Sequence, residues 1–283
     1  MDQLERHREA IRGRLLRSGA VRAGPGSVFW KVHREWIVAA GWGRAILLQL
    51  AHPAVAAGVR DHSSFRGSLR ASLGRARSTV SAMLAISFGD EEEMIGAAAR
   101  INTIHDRVRG TTYSAHDPEL QRWVHATLLD SNADVYRRLV APLSDEELDR
   151  LCDESAPLVE ALGGDPRATP RSWKDLQAYM TSMYSGGVLA VSGEARALGV
   201  AVLSPRAAGV PLPLSGMHRL IATGLLPPTL RAEYGFRWDA AREARFQRAL
   251  ATVRAVRQLA PRAIAYWPQA KGVPATAAPP RGR

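Results

Sequence analysis

The chain has 283 residues, 46% of them hydrophobic, which is enough for a buried core and sets disorder aside for the main body. Its single cysteine, Cys152, excludes an internal disulfide and a thiolate zinc site. The formal charge of +11 does not read as a nucleic-acid footprint: lysine occurs only at Lys31, Lys174 and Lys271, and the arginines are spread along the chain as solvated faces are.

The first residues, MDQLERHREAIRGRLLRSG, are charged throughout and lack the apolar h-region of a secretory signal. Residues 2–18 read as a polar amphipathic helix, and Pro25-Gly26-Ser27 breaks the pattern, with Ser27 placed to cap the next helix. The dense apolar stretch 28–50 predicts one long buried helix, or two meeting near Gly41-Trp42-Gly43. No transmembrane segment is expected: Arg44, Gln49 and His52 interrupt the longest apolar run well short of the ~18 residues of a span. The expected location is cytoplasmic, and the apolar 28–50 stretch leaves peripheral membrane contact open.

His52-Pro53 ends or kinks that helix, since proline removes a backbone donor; a short helical turn over 55–60 and a loop at Asp61-His62-Ser63-Ser64 come next. A helix is predicted over about 70–88 and stopped by Gly89-Asp90. The next begins at the acidic run Asp90–Glu93, favoured at a helix N-terminus by the dipole, and passes through His105 to Arg109, with Gly110 as its stop. Asp117-Pro118 opens a helix to about 140. Ser144 and Glu147 form a capping box for a helix closed by Gly163-Gly164, and Ser172 caps one over 173–184. Further helices are expected over 187–200, 213–224 and 237–259, with Pro227-Pro228 between the last two. No segment alternates as a strand does, and no repeat is visible. The fold class is all-α, a single-domain helical bundle over 1–267. The Pro/Ala/Gly-rich residues 268–283 are expected to be a disordered tail.

Five of the eight histidines, His52, His62, His105, His116 and His125, lie between 52 and 125. Helical spacing puts Arg75, Ser78 and Thr79 on one face of one predicted helix, and Asn102, His105 and Arg109 on one face of the next. Two such helices, antiparallel, could enclose a planar group such as haem. His105 would supply an axial imidazole, an arginine would pair with a propionate, and Thr79 or Ser78 would form a small polar group on the opposite side. Spacing alone favours the plainer reading of His105 and His125 as hydrogen-bonded histidines. His52 and His62 read equally as pocket residues or as caps and corners. No zinc-type His/Glu spacing, P-loop, GxGxxG or GxSxG motif is present.

The segments QLAHPAVAAGVRDHSSF (49–65), GRARST (74–79), INTIHDRVRG (101–110), YSAHDPELQRWVHATLLDS (113–131) and LIATGLLPPTLRAEYGFRW (220–238) resemble the family of latex clearing protein (rubber oxygenase) and the MpaB-type oxygenases. The resemblance implies an all-helical fold with a globin-like core and a b-type haem. It implies a proximal ligand in an HxxVR motif, which here is His105 with Val108 and Arg109, and a distal pattern of arginine and threonine at Arg75 and Thr79. Ser78 stands where rubber oxygenases can have a lysine, and Asn102 stands where they have an arginine, so polyisoprene cleavage is not the expected task. The expected function is a haem b-dependent oxygenase acting on a small apolar molecule, of alkene or prenyl type, with dioxygen and an unidentified electron donor. Thr79, Ser78, His52 and His62 are the candidate catalytic residues, and His105, Arg75, Asn102, Arg109 and His125 join Thr79 as candidate haem contacts. The alternative is a non-enzymatic haem protein (a sensor, carrier or electron-transfer unit), in which His125 could close the sixth iron position.

Overall fold

The computed structural model describes residues 2–18, 23–62, 69–204 and 212–271, with 69–77 and 212–214 described by their backbone alone. Every regular element among them is helical; the only β pairings are two isolated bridges, Glu35 with Tyr266 and Arg109 with Ser114. The helices in chain order are α1 (Gln3–Ser18), α2 (Val28–His33), α3 (Trp42–Leu50), α4 (Pro53–His62), α5 (Leu69–Phe88), α6 (Glu91–His105), α7 (Pro118–Leu139) and α8 (Asp145–Ala161). They continue as α9 (Trp173–Ser185), α10 (Gly193–Val202), α11 (Leu212–Gly224), α12 (Pro228–Glu233), α13 (Ala240–Leu259) and α14 (Arg262–Ala265).

Local chemistry sets many of these starts. Ser27 Oγ accepts from the Trp30 amide, and Asp117 accepts from the Glu119 amide with Pro118 in the first turn, where its missing N–H costs nothing. Asp90 with Glu93 and Ser144 with Glu147 form reciprocal capping boxes. Ser172, Ser192 and Asp239 cap α9, α10 and α13.

The 28–50 stretch is three pieces: α2, a 3-10 turn over Trp36–Gly41, and α3. The break comes from tertiary contacts. Glu35 takes an extended conformation, the carbonyl of its neighbour Arg34 accepts from the Trp267 amide at 3.0 Å, and Arg257 grips the buried Glu35 carboxylate with both arms of its guanidinium. Partners from the far end of the chain thus replace helical hydrogen bonds. Helix α3 ends at Leu50, just before His52-Pro53, as expected; Pro53 opens α4, and 186–192 is a loop before α10.

Helix α7 is the axis of the molecule. Trp123, Ala126, Leu129 and Ala133 are buried on it and pack in one cluster with Leu47 and Leu48 of α3 and Leu148 and Leu151 of α8. Each of the leucines contributes roughly 1.5–3 kcal/mol on full burial. The turn at Gly41 lies so close to α7 that a Cβ there would sit 2.8 Å from the Ser131 carbonyl oxygen. A second cluster pins α1 to α6 through Ile11 and Leu15 against Met94, Ile95, Ala98 and Ala99. Ordered structure reaches beyond residue 267: Pro268–Ala270 is a 3-10 turn, and Ala270 is buried in a cluster with Trp30 and Phe88. Residues 272–283 of the expected tail lie outside the described residues. Among the described residues no helix is long and apolar enough to cross a membrane.

Candidate functional site: an apolar cavity lined by three histidines

A cavity of about 370 Å³ lies at the α4, α6, α7 and α8 junction. Its walls are Ala54, Val55, Gly58, Val59 and His62 of α4, and Ile104 and His105 at the end of α6. The loop after α6 adds Val108, Tyr113, Ser114 and Ala115; α7 adds Leu120, Gln121, Val124, His125 and Leu128; Leu158, Val159 and Leu162 complete it. The lining is aliphatic apart from a few polar groups, the composition of a small-molecule site.

Helix α6 stops at His105, four residues earlier than its sequence suggests. The chain reverses there: the Gly110 amide donates to Tyr113 O and the Ala115 amide to Val108 O, each at 2.9 Å. A Cβ at Gly110 would fall 2.5 Å from the Tyr113 ring, so a side chain there would have to displace it. Asp106 ties the corner down, bonded by His7 and His116 at 2.7 Å each and by Gln3. Despite the opposing cost of desolvation, these three hydrogen bonds hold its carboxyl at about 2. His105 is thereby fixed at the cavity wall on the last turn of α6.

Burial, and then the neighbouring His116, push His105 down to about 4 against the pull of Asp106, so its ring is neutral at physiological pH. Its Nδ1 is buried without a hydrogen-bond partner. His125 is likewise pushed to about 4 by burial and by His33, and its Nδ1 is also buried and unpartnered. Gln121, another lining residue, has its Oε1 buried without a partner. Among the described residues no group of three or more His, Cys, Asp or Glu side chains could hold a metal. A macrocycle that brings its own four nitrogens needs only one protein ligand.

The expected site residues fare differently. His105, His125 and His62 come together in the cavity lining. His62, at its exposed edge, donates through Nε2 to the Arg109 carbonyl at 3.3 Å and meets the Tyr113 ring edge-on. The predicted shared face of Asn102, His105 and Arg109 does not form, since Arg109 lies beyond the end of α6 in the reversal, exposed. Asn102 is buried the other way, donating to Ala161 O at 3.1 Å, so it anchors α6 to α8. Ser78 and Thr79 are exposed on α5 and absent from the cavity lining, so the pocket is not the predicted one between α5 and α6. The Arg75 side chain and Ser63-Ser64 lie outside the described residues. His52 lies outside the lining too: its Nδ1 accepts from the Ala54 amide at 3.3 Å in the first turn of α4, the corner role. Sequence reasoning missed Gln121 and Tyr113. Gln121 stands four residues before His125 on α7, a spacing that puts both on one face and could have pointed to it.

A model of the family described as ER-bound oxygenase mpaB/B'/rubber oxygenase, catalytic domain, matches residues 30–255. The chain belongs to this family. The match runs from within α2 into α13, so all of the cavity lining lies within the oxygenase catalytic domain. Two relatives described as uncharacterized proteins, one from Mycobacterium bovis and one from Mycobacterium tuberculosis, are each 28% identical over 226 residues, covering 76% of this chain and 87% of the relative. No solved structure matches.

Proposed function

We propose that this member of the mpaB/rubber oxygenase family is a haem b-dependent oxygenase acting on a small apolar molecule, with His105 as the proximal iron ligand. The observation that carries the reading is the neutral His105 ring, unpartnered at Nδ1, in the wall of an apolar cavity inside the family domain. The donor chemistry fits: a neutral imidazole is the form that binds iron, and the aliphatic walls suit a macrocycle face. When bound, the haem supplies the activation of dioxygen.

The chain's own groups do the rest. The Asp106 bridge to His7 and His116 fixes the end of α6 and with it the aim of His105. The Leu, Val and Ile side chains of α4, α6, α7 and α8 exclude water and hold an apolar substrate by contact. Tyr113, whose hydroxyl donates to Asp61 at 2.7 Å, and His62 form the rim. The exposed guanidinium of Arg109, next in the chain to the lining residue Val108, is the partner assigned to a propionate. An electron donor is required and unidentified.

The test is the absorption spectrum of purified protein supplied with haem, beside His105→Ala. Wild type is expected to show a Soret band that the variant loses while its far-UV circular dichroism is unchanged. An equally strong band in the variant removes His105 as ligand, and a colourless wild type removes the haem reading.

A further inference from the structure

The last part of the chain is one-sided in charge. From Ala244 to Arg283 the sequence holds eight arginines and lysines and no Asp or Glu. Within α13, spacing sorts the side chains by face. Phe246, Leu250, Val253 and Arg257 follow at steps of four, three and four and turn inward, the first three onto the cluster of Ile37, Leu139 and Leu225, the last onto Glu35. Arg248, Thr252, Val256 and Leu259 follow at steps of four, four and three along the opposite face, and all four are exposed.

The C-terminal end of that outer face belongs to an apolar patch. Eight large apolar side chains are exposed among the described residues, and four of them arise beside one junction. The junction is Glu35, gripped by Arg257 and bridged through its backbone to Tyr266. Trp36 is next in the chain to Glu35, Val256 is next to Arg257, Leu259 lies two residues further on, and Ile264 stands two residues before Tyr266. They are 43%, 63%, 85% and 66% exposed. Arg254 and Arg262 bracket Val256 and Leu259 in the chain, exposed and without an ion pair among the described residues. The Glu35 carboxylate is buried and neutralised by Arg257, so the junction adds no exposed negative charge.

Exposed apolar side chains that gather in one place mark a contact surface. Charge decides among the contacts. A second copy of the chain would bring the same cations and its own formal charge of +11, and residues 272–283 carry only Arg281 and Arg283 as charged side chains. The occupant must be apolar where Trp36, Leu259 and Ile264 project and anionic around them. We propose that Trp36, the C-terminal end of α13 and α14 form a docking surface for an anionic lipid bilayer. The tryptophan and the aliphatic tips enter the interface while Arg254 and Arg262 meet the headgroup phosphates. Side chains that protrude singly suit a fluid interface, which closes round each of them without a preformed pocket. Val256, Leu259, Arg262 and Ile264 lie beyond residue 255, where the family match ends, so the family's catalytic domain does not supply this surface. The attachment is independent of whether the cavity takes haem.

Vesicle flotation of the full-length protein tests it, with pure phosphatidylcholine vesicles beside vesicles that also contain phosphatidylglycerol. Wild type is expected to float with the anionic vesicles alone, and less as salt is raised. A cation at an anionic surface is worth about fivefold in affinity, so Arg254→Gln with Arg262→Gln should weaken binding about twenty-five-fold. Leu259→Ser with Ile264→Ser should weaken it about tenfold or more at unchanged charge. All four side chains are exposed, and far-UV circular dichroism checks that the fold is kept. Arg167→Gln with Arg237→Gln removes the same charge elsewhere, Arg167 in the loop before α9 and Arg237 ahead of the first turn of α13, a helix of 20 residues and so about 30 Å long. This pair should bind as wild type does. Wild type that ignores anionic vesicles overturns the proposal, and that arm needs no variant to fold. Equal losses in the two arginine pairs, or an unchanged Leu259/Ile264 variant, overturn it as well. Retention on immobilised polyglutamate without vesicle binding also overturns it and gives the surface to an acidic polypeptide.

Discussion

Acidification should destabilise this protein through histidines that fold in the neutral form, and His33 gives the cleanest measure. Its Nδ1 donates to Phe29 O at 2.9 Å and its Nε2 accepts from Asn132 Nδ2 at 3.1 Å, within the packing of α2 against α7. Burial, partly offset by the Phe29 bond, lowers it from 6.5 to about 4. A histidine depressed in the folded state takes up its proton first in the unfolded chain, so its contribution is complete above about pH 6.5 and is lost as pH falls toward 4. Each pH unit in that window costs about 1.4 kcal/mol per group, so His33 alone accounts for roughly 2 kcal/mol between pH 6.5 and 5. His105 and His125 fall in the same window by their own burial and triple the effect in the cofactor-free protein. At about 2–4 °C per kcal/mol, the His33 share is a fall in melting temperature of roughly 4–8 °C. The assay is thermal unfolding by circular dichroism at pH 7, 6 and 5 for the wild type and His33→Phe, whose curve should be flatter by that amount. Parallel curves for the two proteins would refute the reasoning, as would a wild-type midpoint that does not move between pH 7 and 5.

Other consequences are equally direct. Arg257→Leu strips the partner from the buried Glu35 carboxylate and should cost about 3–5 kcal/mol in urea unfolding; Glu35→Leu on top of it should recover much of that loss. Gly41→Ala drives a methyl against the Ser131 carbonyl and should cost about 1–3 kcal/mol, with a lower urea midpoint at unchanged slope as the readout. Val124→Trp puts an indole into the cavity and should abolish the Soret band on haem addition while leaving the helical signal intact; a band at wild-type strength would place the haem elsewhere.

What the sequence discloses and what it hides divide along a physical line. The starts of α2, α7, α8 and α9 were legible because a cap is a local event: Ser27, Asp117-Pro118, Ser144 with Glu147, and Ser172 each act on a backbone amide within a turn. The break at Glu35 was not legible, because its cause is Arg257, 222 residues away. Local periodicity offered a junction only near Gly41-Trp42-Gly43, where α3 does begin; at Glu35 a distant ion pair overrides it.

The site divides in the same way. His105, His62 and His125 were named from the sequence and lie in one cavity, yet the predicted pairing of α5 and α6 faces is not what joins them. That pairing required α6 to run on to Arg109, so that residues 102, 105 and 109 would share a face. The helix ends at His105, and the chain reverses through Gly110 and Tyr113, which turns Val108, Tyr113, Ser114 and Ala115 into a cavity wall. With the end four residues earlier, the described cavity lies on the α7 and α8 side of α6. That cavity is lined by Gln121 and His125, and by neither Ser78 nor Thr79.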